Sequence, residues 1–445
     1  MVLESIYLGM DDIDSPNGGC TTHFASLLIE RLDPIVEAWR DYPHLIRLNP
    51  NIPYRTRGNG GVCLSATIDS QEIDGVISLL SNMIQEYSDI SYPNTNPGVA
   101  ILTGDVPPSV NAFSRKALWR TVPRSLALRI IEDNHLAHFS FGNGQGIVGA
   151  LAAVGHGLIG DHTYEYLAYR KMSETQNARG VDTSSVEKMN ELMGPRTFSN
   201  LDPIDGSILI EPQGPDPVLY GIRGEQPQDV LEAASYISTS QAVDRWLIFR
   251  TNQGTGEHLS QHLSLSELRP YMSASVSGQV VSTPRIVSGG HVLFKVADSN
   301  DSIQCAAYEP TGIFRWDVMK LRVGDRLSLH VGVRPSSSSH DMTLNVEGME
   351  ITYLIDHIEY SNPMCHQCGK RMKSAGKDKG FKCPHCGHIE KELVKESQLI
   401  PRDLQLGYYL PQPRAQRHLT RPHARIGKAN RFSSELIEMW HNPWD

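Results

Sequence analysis

The chain has 445 residues, 20% of them charged and 40% hydrophobic, with a formal net charge of −9. At roughly 150 residues per domain, that length predicts about three domains, each able to bury a core. No apolar run reaches the roughly 18 residues of a membrane span, so no membrane partner is expected. The longest, residues 146–159, is rich in glycine and alanine and is interrupted by His156. The N-terminus lacks a basic segment followed by an apolar one, so no secretory signal is predicted. Four of the seven cysteines fall in one pattern, while Cys20, Cys63 and Cys305 are scattered. That usage argues against a disulfide scaffold and for a reducing compartment, hence a soluble, cytoplasmic protein. The charge is unevenly spread. Residues 361–445 hold 15 Lys and Arg against 8 Asp and Glu, a balance of +7 that leaves −16 on the rest. A basic end on an acidic body is the asymmetry of a chain that grips a polyanion with one end.

In chain order, Ile6-Tyr7-Leu8-Gly9-Met10 reads as a short buried strand. Asp11, Asp12 and Asp14 follow at its carboxyl end, then Gly18-Gly19-Cys20-Thr21-Thr22 and a helical pattern with Phe24, Leu27, Leu28 and Leu32 on one face. Open α/β sheets bind ligands at such strand ends, where a helix N-terminus faces them. Crowded carboxylates repel one another until a cation neutralises them, and hard oxygen ligands suit magnesium. The free N–H groups of a helix beginning near Thr21 favour a phosphate. Two readings fit these residues. One is a magnesium–phosphate site. The other is a solvated turn in which Thr21 or Thr22 is an ordinary N-cap.

A strand over 45–48 leads into Asn49-Pro50-Asn51-Ile52-Pro53 and then Arg55-Thr56-Arg57-Gly58-Asn59-Gly60-Gly61. The prolines exclude a helix and the glycines permit positive φ. Arg55 and Arg57 with the Gly58-Asn59-Gly60 turn form either a backbone nest for an anion or a plain glycine-rich hairpin turn. A strand over 62–68 and an amphipathic helix over 72–87 follow, so the alternation predicts an α/β or α+β layer. Residues 91–98 read as a loop and 125–134 as a helix. A second glycine-rich loop, 141–146, enters the apolar segment 147–154. Residues 163–171 mix aromatic and aliphatic side chains with Glu165 and Arg170. Residues 182–193 form a helix with Ser184 and Glu187 at capping-box spacing. Residues 198–224 are strand-and-turn material, including Ile208-Leu209-Ile210 and Gly221-Ile222-Arg223-Gly224, where Arg223 is a further anion-binding candidate. Asp161, Glu165, Asp202, Asp205 and Asp216 are either solvated or available to a cationic partner.

From about residue 273 the texture changes to short β segments, at 276–281, 292–297, 303–308, 326–333, 342–346 and 351–358. They suffice for the five strands of an OB-type barrel, with residues 334–341 as a serine-rich hairpin loop; another small barrel or sandwich fits the same pattern. Cys365-x2-Cys368 and Cys383-x2-Cys386 then have the spacing of a structural zinc ribbon, whose Zn2+ closes a module too small for its own core. Lys370, Arg371, Lys373, Lys377, Lys379 and Lys382 surround it. Beyond it lie Arg414, Arg417, His418, Arg421, His423, Arg425, Lys428 and Arg431, with Tyr408, Tyr409 and Phe432 at either end. Basic groups neutralise phosphates and aromatics stack on unpaired bases, so this end is read as nucleic-acid-binding, RNA favoured.

Taken together, these residues resemble a known family. Gly9-Met10-Asp11-Asp12-Ile13-Asp14-Ser15 with Cys20-Thr21-Thr22, Asn49-Pro50-Asn51-Ile52-Pro53 and Thr56-Arg57-Gly58-Asn59-Gly60 are similar to the opening of archaeal tRNA 2-agmatinylcytidine synthetases, the TiaS family. Asp161-His162-Thr163-Tyr164-Glu165, the segment from Pro212 to Gly224, Asn252-Gln253-Gly254-Thr255, the zinc ribbon and Arg417-His418-Leu419 extend the likeness along nearly the whole chain. The resemblance implies an ATP-dependent ligase that joins agmatine to C2 of the wobble cytidine of the minor isoleucine tRNA, whose anticodon is CAU, with AMP and phosphate as products. It implies an α+β multidomain fold, with 1–120 an ATP-binding, α/β kinase-like catalytic domain and 121–270 a ferredoxin-like domain. An OB fold over 271–360, a zinc ribbon over 361–392 and a basic tRNA-binding segment over 393–445 would follow. Asp11, Asp12 and Asp14 match the family's acidic metal site and Thr21 its autophosphorylated threonine. Arg57, Gly58, Asn59, Gly60 and Arg223 are assigned to ATP, Asp11 and Asp12 to Mg2+, and no obligate protein partner is expected. Two positions depart from the pattern. Ile13 stands where threonine is usual, and Gly256 where an acidic residue is expected, which leaves the role of the 252–256 loop open. Other readings of the same modules are a non-catalytic RNA-binding protein and an ATP-dependent RNA modifier that uses another amine.

Overall fold

The computed structural model describes residues 2–54, 58–338, 340–432 and 434–443. Arg57, one of the predicted ATP ligands, lies outside them. The N-terminal body is built on a ten-stranded sheet. Nine strands run Ala137–Ser140, Gly98–Thr103, Leu3–Asp11, Gly60–Asp69, His44–Arg47, Arg245–Thr251, Thr163–Tyr169, Val218–Gly224 and Thr197–Phe198, and Ala38–Trp39 pairs with Gly60–Asp69. The sheet is antiparallel except where Arg245–Thr251 meets His44–Arg47. The ligand rule for open parallel sheets therefore does not place this site; packing at the end of Leu3–Asp11 does.

That strand alternates faces, as period-two geometry requires. Ile6, Leu8 and Met10 are buried with Phe24, Leu28 and Ile29 of the helix Thr21–Leu32 and with Val76, Leu80 and Ile84 of the helix Ile73–Tyr87. On the other face the apolar segment after residue 146 is a helix, Ile147–His156, packed with Val110 and Phe113 of the helix Pro108–Ala117. This helix sits flush on the sheet because glycines let it. A Cβ at Gly9 would collide with the Ala150 carbonyl, and one at Gly149 with the Asp11 carboxylate. The sequence pattern missed the strand Gly98–Thr103 and the helix Pro108–Ala117. A boundary at 120–121 would also part Ala137–Ser140 from its partner Gly98–Thr103. The far half of the sheet is formed by strand, helix, two strands, helix and strand: Thr163–Tyr169, Thr183–Met193, Thr197–Phe198, Val218–Gly224, Pro227–Ala234 and Arg245–Thr251. Its first helix is capped by Asp182, whose carboxylate accepts from Ser185 N at 3.0 Å, and not by a Ser184–Glu187 box. Residues 208–210 are a turn with one bridge from Ile208 to Leu201, not a strand.

Ser273–Val280, Val292–Ala297, Ser302–Ala307, Thr343–Tyr353 and Arg326–Arg334 pair in that spatial order and close into a five-stranded barrel, with the parallel pairing of third and fifth strands that an OB topology has. Six predicted segments reduce to five because 342–346 and the start of 351–358 fall in one long strand, Thr343–Tyr353, irregular against its partner at His330/Val331, while Ile358 opens a separate strand. A two-stranded neck, Ile358–Ser361 with Glu396–Leu399, carries the ribbon. The C-terminal segment is no free tail. Leu404 enters the barrel core, Gly407–Tyr409 pairs with Thr343–Tyr353, and Trp440 returns to the core of the N-terminal sheet. It is a strap over both bodies. No helix among the described residues is long and apolar enough to cross a membrane.

Candidate active site

Asp11 ends the first strand, and Asp12 turns the chain with φ 59° in the left-handed region. Asp12 N donates to Asp11 Oδ1 at 2.7 Å, and Asn96 N donates to Asp12 Oδ2 at 3.0 Å. Thr95 Oγ1 donates to the Asp14 carbonyl at 2.9 Å. The loop 91–98 thus pins the knot from outside. Ile13, the departure from the family pattern, is buried in the core, so the carboxylates keep their places. Burial, and then the neighbouring Asp12 carboxylate, hold Asp11 well above the usual carboxylate range, and the Arg47 guanidinium offsets this only weakly. Burial and the Asp14 carboxylate push Asp12 up to about 7. Among the described residues neither Asp11 nor Asp12 has an ion-pair partner that would cancel the crowding. The three carboxylates are not gathered to a point: among the described residues, the one group of three or more His, Cys, Asp or Glu ligand atoms within 4.8 Å of one another is the cysteine set.

Thr21 is the first residue of its helix rather than the N-cap. Cys20 occupies the N-cap without a side-chain cap bond, and its Sγ lies 3.0 Å from Thr22 Oγ1. The Thr21 hydroxyl makes no hydrogen bond among the described residues. It is left at a helix N-terminus whose first turn carries no acidic residue.

Two clefts meet here. One is lined by Asp11, Asp12, Asp14, Gly58, Asn59, Gly60 and Arg120. The other, about 310 Å³, is lined by Asp14, Thr21, Arg47, Gly58, Gly60, Glu165, Arg223 and His418. Asp14 and the Gly58–Gly60 turn stand between them, so all the described site residues predicted outside the ribbon fall in this double cleft. Arg55 and Arg57, on which the nest reading of this turn draws, both lie outside the described residues. Gly58, Gly60 and Gly61 all lack positive φ, and glycine is required for closeness: a Cβ at Gly60 would lie 2.9 Å from the Ile46 carbonyl. Asn59 Nδ2 is spent on the Asn49 carbonyl at 2.9 Å.

Arg223 Nε donates to Glu165 Oε1 at 2.9 Å, and the other carboxylate oxygen of Glu165 accepts from Gln253 Nε2. Asp161, Asp205 and Asp216, expected to be either solvated or available to a cationic partner, are paired with Arg421 and Arg425, with Arg414, and with Arg179 respectively. Part of the basic run read as a phosphate grip is accordingly committed to the chain's own carboxylates, while His423, Lys428 and Arg431 are exposed. Arg425, fully buried, donates to Glu225 and Asp161 at 2.8 Å each. The 252–256 loop is the rail on which the strap docks. Gly254 N donates to His418 O at 2.9 Å and Gly256 N to Leu419 O at 2.7 Å. Gly256 sits at φ 72°, which explains glycine there. Asn252 clamps the Arg47 backbone from both sides, at 2.8 and 3.0 Å. Sequence reasoning missed Arg47 and the cleft position of His418, since neither belongs to a local motif with a chemical signature.

In the ribbon, the Sγ atoms of Cys365 and Cys386 are 3.6 Å apart and those of Cys368 and Cys383 are 3.4 Å apart. Four sulfurs at such separations suit a tetrahedral Zn2+.

Residues 7–143 match the TiaS TCKD domain, 144–258 the TiaS FLD domain, and 362–404 the TiaS C-terminal zinc ribbon domain. The chain belongs to the TiaS family. The TiaS of Staphylothermus marinus, a 2-agmatinylcytidine synthetase of the isoleucine-2 tRNA, is 38% identical over 451 residues, covering 98% of each chain. That of Cenarchaeum symbiosum is 36% identical, over 99% of this chain and 97% of its own. A crystal structure of TiaS in complex with the isoleucine-2 tRNA and ATP superposes with a TM-score of 0.86 at 34% identity, covering 98% of this chain and all of that one. A TiaS complex with the same tRNA, AMPCPP and agmatine gives 0.83 at 31%, over 96% and 99%.

Proposed function

We propose that this chain is the ATP-dependent ligase that joins agmatine to C2 of the wobble cytidine of the minor isoleucine tRNA, the one with a CAU anticodon, in the cytoplasm. The observation that carries the reading is the double cleft. A threonine hydroxyl without a hydrogen bond among the described residues opens there, at a helix N-terminus, beside desolvated carboxylates held toward their protonated forms. Its setting, a chain alike from end to end to proteins solved with tRNA, an ATP analogue and agmatine, supplies the substrates. The kinase-like reading belongs to the half that holds Asp11 to Thr21. The ferredoxin-like reading of the other half is supported by its strand–helix–strand–strand–helix–strand succession. The barrel and ribbon are assigned to tRNA contact, and so are the strap's outward basic residues.

The chemistry follows from the residues. C2=O of cytosine is a poor electrophile until its oxygen is phosphorylated. Asp11 and Asp12, crowded and desolvated, fit a Mg2+ ion, which takes one or two carboxylates and keeps substrate phosphates and waters as its other ligands. When bound, that ion neutralises charge on the transferring phosphoryl group. Free N–H groups at the start of the Thr21 helix, with Arg47, place donors beside the Thr21 hydroxyl, where phosphate is to be accepted. Arg223 and the Gly58–Gly60 turn complete the phosphate-binding wall. One phosphoryl group of ATP goes to the C2 oxygen and the other to the Thr21 hydroxyl, which leaves AMP; the amine of agmatine then bonds to C2, the C2–O bond breaks, and phosphate departs.

Incubating the protein with labelled agmatine, ATP and the CAU-anticodon tRNA checks this. Label should enter tRNA with AMP formed. Absence of both refutes the reading, and transfer that survives replacement of the wobble cytidine refutes the target.

A further inference from the structure

The first cleft has two walls of different origin. One is the carboxylate knot with the start of the helix Ile147–His156; the other is Leu48, Ile52 and the Gly58–Gly60 turn, with Ala117 and residues 120–122. Both segments of the second wall are tied to the barrel. Asn49 is fully buried and lines neither cleft. Its Nδ2 donates to the Tyr271 carbonyl at 2.7 Å, and its Oδ1 accepts from Asn51 N at 3.0 Å and from Ser273 Oγ at 3.1 Å. Asn51 Nδ2 completes the ring of contacts by donating to Ser273 Oγ at 2.8 Å. Ser273 opens the first barrel strand, and its N–H donates to the Trp119 carbonyl of the other segment at 2.7 Å. Tyr271 sits at φ 67°, in the left-handed region that aromatic residues rarely adopt, where its carbonyl meets Asn49. The backbone of Asn49 carries the tie onward to the cleft. Its N–H donates to the Ala117 carbonyl at 3.1 Å, and its carbonyl accepts from Asn59 Nδ2 at 2.9 Å. Leu48 N donates to the Asn59 carbonyl at 3.0 Å. A joint that only held two bodies together could be apolar, whereas a hydrogen-bonded buried polar network fixes one geometry.

Building on the ligase reading above, we infer that Asn49 is a positioning residue for ATP. It seats the Gly58–Gly60 turn against the first strand of the barrel, so that the module assigned to tRNA contact also sets the width of the first cleft. Asn49 touches no substrate. Its side chain fixes where the turn stands opposite Asp11 and Asp12, and so where phosphates lie between them.

The full chain is assayed with the CAU-anticodon isoleucine tRNA, ATP and agmatine. Asn49→Ala removes the tie to the barrel and leaves the backbone bond to Asn59 possible. It should lower kcat/KM for ATP about 10-fold or more, with KM for agmatine and affinity for tRNA within about twofold of wild type. Ser273→Ala, which removes one hydroxyl from the barrel side, should move the same parameter in the same direction by less, and it carries the test if Asn49→Ala does not fold. The two substitutions together should fall short of the sum of their separate effects, because both act through one joint. Equal losses toward ATP, agmatine and tRNA would overturn the inference in favour of general support of the fold. Unchanged kinetics toward ATP in both variants would also overturn it. A second pair of measurements needs no turnover: binding of AMPCPP with Mg2+, and amide exchange of the ligand-free chain. Asn49→Ala should weaken AMPCPP binding and speed exchange at residues 58–61, while the strand Leu3–Asp11 keeps its protection. AMPCPP binding equal to wild type, or faster exchange throughout the N-terminal sheet, would overturn the inference. A wild type that binds AMPCPP in this Asn49-dependent way and transfers no agmatine would support the positioning role and count against the ligase reading alone.

Discussion

Two groups of carboxylates meet opposite fates in this fold. Asp161 and Glu225 are closed by Arg421 and Arg425, with Arg425 fully buried between them. Asp11 and Asp12 have no such closure among the described residues, and both are held toward the protonated form. A buried ion pair satisfied by its own chain is a clamp, costly to break and inert. Carboxylates crowded without a paired cation store repulsion that a cation from outside relieves. The first group fastens the strap; the second is where chemistry is set up.

The widest test of the contrast between clusters completed by the chain and clusters completed from outside is the ribbon, where four thiolates converge with only a small core beneath. Zinc removal should unfold residues 361–390 outright, since structural zinc contributes roughly 10 kcal/mol or more to such modules. tRNA affinity should fall, while the amide-exchange protection of the N-terminal sheet stays intact. Unchanged tRNA affinity after chelation would remove the ribbon from the interface. Asp12→Asn should cut agmatine transfer by roughly 10²-fold or more with tRNA binding near normal. Because it relieves crowding, it should raise rather than lower the thermal midpoint of the metal-free protein. A destabilised Asp12→Asn protein would mean that the knot is structural after all. Arg425→Met should do the reverse, costing about 3 kcal/mol in urea unfolding by stranding Asp161 and Glu225. Strap release should also expose the 252–256 loop to protease.

The last test concerns acid, where the effect is small near neutrality and grows with each pH unit below it. Burial, then Arg245, lowers His23 to about 3, and burial, then Arg250, lowers His162 to about 4. Folded-state values below the unfolded value mean that the unfolded chain binds protons first. Stability should be at its plateau above about pH 6.5 and fall below it, by roughly 1.4 kcal/mol per pH unit per histidine until the folded-state values are reached. His23→Gln should flatten that slope. An equal slope in the variant would assign the acid sensitivity elsewhere.

Features carried by neighbouring residues were legible in the chain. Period-two and helical patterns placed the first strand, its helix and the helix after it. Cysteine spacing placed the ribbon, and the run of short β segments placed the barrel. Patterns crossing between segments were not legible. Asp182 rather than Ser184 caps its helix, because the cap is decided by where the chain enters the helix. One long strand, Thr343–Tyr353, read as two segments, because its register against Arg326–Arg334 shifts between His330 and Val331 and interrupts the alternation.

By itself the sequence determined the local chemistry: three carboxylates in four residues after a strand, a threonine at a helix start, two thiolate knuckles, and a basic end. Tertiary structure alone decided which charges are paired. Only folding sets Arg425 between Asp161 and Glu225, crowds the half-buried Asp11 and Asp12 side by side, and lays His418 against Gly58. The reason is physical. Compensation of a charge depends on distance in space, and linear sequence carries no record of which distant arginine will arrive.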